Sequence, residues 1–149
     1  MATRIYLDTY VYNRPFDDQT QPRIWLETLA FSVILQMIEN GAVELVSSSV
    51  VAYENSRHPH QLQQRWVEKV SQLATYTQLV HDEIRKRAAE LEQAGIKALD
   101  ALHVACAEAA GVDCFVTCDD GLLRRYRNLT QAQIDISDPS EFVRTLAEE

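Results

Sequence analysis

Glycine is scarce in this 149-residue chain: there are four, Gly41, Gly95, Gly111 and Gly121, and no two are close. That excludes a phosphate cradle of the GxGxxG or GxxxxGK[ST] type, whose tight backbone turns need clustered glycines. The four prolines are equally scattered, which excludes a Pro-rich linker. Three cysteines, Cys106, Cys114 and Cys118, form no disulfide framework and fit a reducing compartment. The longest apolar stretch, Leu29 to Ile38, is broken by Ser32 and Gln36 and is too short to span a bilayer. The opening MATRIYLDTY has no apolar signal segment, so a cytoplasmic protein with no membrane role is the expectation. Positive charge is also in deficit, with 14 Lys and Arg against 22 Asp and Glu and a formal charge of -8. Phosphate binding rests on Lys and Arg. Such a chain acts on nucleic acid only if part of its negative charge is gathered at a site that cations fill.

Apolar residues make up 46% of the chain, enough for a real core, and the length is that of one domain, taken as residues 1–149. Arg4 to Leu7 reads as a short buried strand ending on Asp8. Apolar positions from Ile24 to Ile38 recur close to the 3.6-residue period and predict a helix over Arg23 to Asn40, stopped by Gly41. Val43 to Val46 is a second strand, and Ser47-Ser48-Ser49 supplies an N-cap for a short helix through Ser56. Helices are predicted at Gln61 to Leu73, Asp82 to Gln93 and Ala98 to Ala110. The second of these carries Glu83 and Arg87 at favourable spacing for an ion pair. Cys114 to Thr117 is a strand, Leu122 to Arg127 a short helix, Ile134 to Ile136 a small strand and Pro139 to Ala147 a terminal helix. Strands alternating with helices predict an α/β fold, a three-layer α/β/α sandwich with a mostly parallel central sheet. In such sheets functional groups gather at the carboxyl ends of strands.

Four acids occupy unusual places. Asp8 ends an apolar strand, and its alternative reading is a turn or helix-capping residue. Glu54 lies in Val50-Val51-Ala52-Tyr53-Glu54, a short helix with mostly apolar neighbours, and its alternative is a solvated face. Asp100 sits in Ala98-Leu99-Asp100-Ala101-Leu102-His103-Val104-Ala105, which is apolar nearly all round and therefore buried. A carboxylate there must be neutral, paired or bound to metal. The alternative is an acid favoured by the helix dipole in the first turn. Asp119 follows the strand Phe115-Val116-Thr117 and repeats the placement of Asp8. If the four converge, they repel one another unless cations or protons intervene. Hard divalent cations such as Mg²⁺ and Mn²⁺ take oxygen ligands and bridge carboxylates to phosphates.

At these residues the chain resembles the PIN-domain nucleases, in particular the VapC-like toxins of bacterial toxin–antitoxin pairs. The resemblance runs through Ile5-Tyr6-Leu7-Asp8-Thr9, Glu54, Leu99-Asp100-Ala101-Leu102-His103-Val104-Ala105 and Phe115-Val116-Thr117-Cys118-Asp119, and covers nearly the whole chain in order. It implies a PIN-like domain whose acids bind Mg²⁺ or Mn²⁺ and hydrolyse RNA. Carried over by position, Asp8, Glu54, Asp100 and Asp119 become the catalytic, metal-binding quartet. Thr9, Thr117 and Asn13 become polar residues that support it. The resemblance also implies an RNA substrate, an antitoxin protein as partner and a homodimer.

Other side chains are weaker candidates. Arg124 and Arg125, with Arg127, are candidates for RNA phosphate contacts, as are Arg85, Lys86 and Arg87; a solvated helix face is the alternative. Tyr10, Tyr12 and Tyr126 are candidates for base stacking, against a core role. His103, one turn from Asp100, reads either as its hydrogen-bonding partner or as a packed core histidine. Cys114 and Cys118, four apart on a strand, stand about 13 Å apart. That is too far for one tetrahedral zinc, so the cysteines read as small buried side chains. The helix carrying Trp25 and Phe31 reads as an inner helix or as a groove for a partner helix. A haloacid-dehalogenase-like phosphatase also starts from an Asp at a strand end, but it needs a second Asp where this chain has Tyr10. A catalytically degenerate PIN domain that binds RNA or protein is the remaining alternative.

Overall fold

The computed structural model describes residues 2–148. Five strands form one sheet: β1 (Thr3–Leu7), β2 (Val43–Ser48), β3 (Tyr76–Gln78), β4 (Cys114–Val116) and β5 (Asp135–Ser137). Their order is β3-β2-β1-β4-β5, and every pairing is parallel. The helices are α1 (Thr9–Asn13), α2 (Pro22–Glu39), α3 (Ser49–Ser56), α4 (Gln61–Ser71), α5 (Asp82–Gln93), α6 (Ala98–Ala109), α7 (Asp120–Arg127) and α8 (Pro139–Ala147), with a 3₁₀ turn at Arg14–Phe16 after α1.

This order determines where the helices lie. From β1 the chain steps outward to β2 and β3, then returns to the other side of β1 for β4 and β5. Right-handed crossovers in opposite directions put helices on opposite faces of a sheet. Accordingly α2 packs on β2 and α8, whereas α6 packs on α5, β2 and β3. This is the expected three-layer sandwich. The central strand is covered on both faces: Ile5, Tyr6 and Leu7 are all fully buried, which explains a continuous apolar run rather than an alternating one. Tyr6 stacks on Phe115 of the neighbouring strand, with ring centres 5.3 Å apart. Gly111, at φ +68°, ends α6 in a left-handed conformation that a side chain would strain, and turns the chain into β4.

Three local features differ from the sequence reading. Strand β3 was not anticipated, because Tyr76 and Thr77 are exposed at a sheet edge and only Gln78 is buried, which leaves no apolar signal. Helix α1 and the 3₁₀ turn occupy a stretch left unassigned. Finally, Glu83 and Arg87 do not pair. Arg87 instead reaches the buried Glu108 on α6 at 2.7 Å, and Glu83 faces Lys86 at 3.4 Å. Arg87 also meets the exposed Glu90 on its own helix at 3.4 Å, so its intrahelical partner lies on the C-terminal side rather than at Glu83.

Candidate functional site

The chain reverses its direction of travel across the sheet between β1 and β4. In an open parallel sheet, the crevice beyond the carboxyl ends of two such strands is where ligands bind. Asp8 and Asp119 emerge there. Leu7 and Val116 are register partners, and the Asp8 amide donates to the Val116 carbonyl at 3.1 Å.

Both acids are helix caps, the alternative that the sequence offered for Asp8. Asp8 is the N-cap of α1: its Oδ1 accepts from the Val11 amide at 3.1 Å, and its Oδ2 accepts from the Thr117 hydroxyl. Asp119 is the N-cap of α7, with Oδ1 accepting from the Gly121 and Leu122 amides at 2.9 and 3.2 Å. Thr117 joins the two acids. It donates to Asp8 and accepts from the Asp119 amide at 3.0 Å.

Capping does not account for the electrostatics of Asp8. Asp8 is only 2% exposed. Burial pushes its carboxyl up from an ordinary value of 3.8 to about 7; bonds from Thr117 and Val11 and the nearby His103 oppose this, and Asp100 adds to it. Asp100, in the first turn of α6, is also held above its ordinary range. Burial is the main cause, followed by repulsion from Asp119, and Glu54 adds to it. Among the described residues, no hydrogen bond to the Asp100 side chain is formed. Glu54, on α3, behaves differently. Burial pushes it up, but bonds from His103 and Thr9 outweigh that and hold it below its ordinary value. Its Oε1 accepts from the Thr9 hydroxyl and lies 3.0 Å from His103 Nε2.

All four acids bear on the Tyr10 hydroxyl. The tyrosine side chain is 56% exposed on α1, and its hydroxyl is pushed upward first by burial and then by Asp100, Glu54, Asp8 and Asp119. The acids thus come from four separate elements and act on one phenol. They do not form a closed cage. Among the described residues, no three His, Cys, Asp or Glu side chains stand close enough to hold a metal ion between them. The donors are nevertheless of the right kind. They are oxygen only, Asp100 is unbonded, and the deepest carboxylate lacks a fixed cation. That set suits a hard divalent ion that keeps several waters.

The remaining candidates separate clearly. Asn13 donates to the Thr9 carbonyl at 3.0 Å and, among the described residues, makes no hydrogen bond to the acids. Arg125 lies over Gly121 beside the Asp119 carboxylate, where a Cβ at Gly121 would stand 3.2 Å from its Nη1. Arg124 makes no ion pair among the described residues, while Arg127 is tied to Glu141 at 2.7 Å. Tyr12 and Tyr126 are buried, and Tyr126 donates to Glu108 at 2.7 Å. All three cysteines are buried and unbridged. A cavity of about 1020 Å³ is lined by Thr3, Asp113 and Asp135 at the opposite, amino ends of the strands.

Two features escaped the sequence reading. Asp120, beside Asp119, forms a two-pronged ion pair with Arg23 of α2 at 2.6 and 2.7 Å. His103 bonds to Tyr6 and Glu54 rather than to its helical neighbour Asp100. Both contacts join residues roughly 50 to 100 positions apart, and no local spacing signals them.

Comparison with known proteins places this arrangement. No curated protein matches the chain. Among solved structures, it is similar to PAE2754 from Pyrobaculum aerophilum, at 19% identity over 100% of both chains with a TM-score of 0.54. It is also similar to VapBC2 from Rickettsia felis, solved bound to a DNA fragment from their promoter. That match has 14% identity, covers 91% of this chain and 98% of the other, and has a TM-score of 0.52. At such identities the likeness is one of fold. The PIN domain model matches residues 5–128, which include all four acids, and the chain therefore belongs to the PIN-domain family.

Proposed function

We propose that this protein is a metal-dependent endoribonuclease, the toxin of a type II toxin–antitoxin pair, with Asp8, Glu54, Asp100 and Asp119 holding Mg²⁺ or Mn²⁺. The observation that carries this reading is the shared electrostatic neighbourhood: four carboxylates from four elements bear on one exposed tyrosine, and two of them, Asp8 and Asp100, are pushed upward, chiefly by burial. A divalent cation bound there supplies Lewis-acid chemistry, acidifying water and offsetting charge on a phosphodiester.

The chain's own residues supply the rest. Thr117 orients Asp8 and ties it to the Asp119 loop. Asp119 has one oxygen committed to capping α7, and the other makes no hydrogen bond among the described residues. Asp100 has both oxygens available. Arg124 and Arg125, on the helix that begins at Asp119, are placed to contact the RNA backbone flanking the reacting phosphate. Tyr10 offers an exposed ring for an unpaired base. The exposed Trp25, Leu26, Leu29 and Val33 form an apolar stripe on α2, suited to an antitoxin segment or to a second copy in a homodimer. Such a protein works in the cytoplasm. No described helix is long and apolar enough to cross a membrane.

A second reading is favoured by one observation, the absence of a closed ligand group among the described residues. Under it the chain is a catalytically silent PIN domain that binds RNA or protein. One assay separates the two. Purified protein is incubated with single-stranded and structured RNA in Mn²⁺, in Mg²⁺ and in EDTA. Cleavage with either metal, lost in EDTA and lost in a folded Asp100→Asn variant, is the expected result. RNA binding without cleavage under all conditions establishes the silent reading.

A further inference from the structure

The Glu54 carboxylate is held by a hydrogen-bond chain whose direction can be worked out atom by atom. It starts at Ser48, the N-cap of α3, the helix that carries Glu54. Ser48 Oγ accepts from the Val50 and Val51 amides at 3.2 and 3.3 Å. A hydroxyl oxygen has two lone pairs, and both are used. Its own hydrogen is therefore the one shared with Tyr6 Oη, 2.6 Å away. The Tyr6 hydrogen in turn goes to His103 Nδ1, also at 2.6 Å. An imidazole whose Nδ1 accepts carries its hydrogen on Nε2. That nitrogen lies 3.0 Å from Glu54 Oε1 and 3.4 Å from Thr9 Oγ1.

We infer that His103 is the positioning residue for Glu54: locked as the Nε2–H tautomer by Ser48 and Tyr6, it donates to the Glu54 carboxylate and fixes its orientation in the acidic cluster. Tyr6 and His103 are both almost completely buried, so water does not compete for these bonds. Helix α6 thereby governs two of the four acids, carrying Asp100 itself and aiming Glu54 through His103 one turn later. Thr9 is the second donor to the same oxygen, so Glu54 is held from two sides with Oε2 left for a ligand. Support of this kind around a metal site is typically worth 10- to 100-fold in metal affinity.

The role of the tautomer is independent of metal, whereas the consequence for affinity rests on the proposed ligand set. The test therefore has two arms. In ¹⁵N-labelled, metal-free protein, the ring nitrogen resonances of His103 are expected to show hydrogen on Nε2 and a bare Nδ1; the opposite tautomer overturns the inference. Mn²⁺ affinity is then measured by calorimetry on His103→Gln, whose amide can still donate to Glu54, and on His103→Leu, which cannot. The Leu variant is expected to bind at least about tenfold more weakly than the parent, with most of that loss restored in the Gln variant. Equal losses in two folded variants overturn the positioning role. If the Leu variant does not fold, a folded Gln variant weakened by about tenfold does the same. A parent protein that takes up no Mn²⁺ refutes the ligand set instead, and leaves the tautomer measurement to decide on His103.

Discussion

Burying a carboxylate without a permanent cation sets the behaviour of Asp8. Its carboxyl releases a proton near 3.8 in the unfolded chain and near 7 in the folded one. Below both values the group is neutral in each state. As pH rises between them, the unfolded state is the first to ionise, so this contribution to stability is lost as pH passes through about 7. Asp8→Asn keeps an acceptor for Val11 and a polar partner for Thr117 without the buried charge. In EDTA, urea unfolding should show the variant more stable than the parent by about 4 kcal/mol at pH 8. That advantage should shrink toward pH 4. An equal difference at both pH values would show that ionisation of Asp8 is not its source. The same residue marks a limit of what the sequence discloses. A strand-ending Asp was legible as a cap and as a candidate ligand, and in the structure it caps α1 and stands among the acids. The bond from Thr117, 109 residues away, was not legible.

Elements whose signal lies in a local pattern were read correctly, and those without one were missed. Helix α2 was legible from its apolar period and from Gly41, and α6 from a run of apolar residues that left Asp100 conspicuous. Strand β3 has no such pattern, because an edge strand buries little and is recognised only by its partner β2. Position on a helix also misled where partners compete across elements: Arg87 chose Glu108 on α6 over Glu83 on its own helix. Ser48 belongs to the legible group, as an N-cap predicted from a run of serines. Its two bonds to the first amides of α3 mean that Ser48→Ala should cost roughly 1–2 kcal/mol in chemical denaturation. Because the same hydroxyl points to Tyr6, the loss should exceed that of a half-buried cap such as Asp138→Ala on α8. Equal losses would mean that the buried branch adds nothing.

At the scale of the whole molecule, a formal charge of -8 and a cluster of acids at one end of the sheet favour any process that brings in cations. A ligand that binds only the folded state raises its stability by mass action. Mn²⁺ at about a hundred times its dissociation constant should therefore raise the melting midpoint by roughly 5–10 °C. Na⁺ at matched ionic strength provides the control for charge screening alone. A midpoint that ignores millimolar Mn²⁺ would exclude the acids as a folded-state cation site.

The sheet order carries one more consequence, concerning how the protein is made. Strand β1 leaves the ribosome first, yet the neighbour that completes its other edge, β4, is encoded more than a hundred residues later. Contacts so distant in sequence form late. A nascent chain that has emerged only as far as α6 already has Asp8, Glu54 and Asp100, but lacks both the threonine that steadies Asp8 and the fourth acid. Synthesis and completion of the proposed site are thus tied together, and under the proposed function prematurely terminated fragments should be unable to cleave RNA.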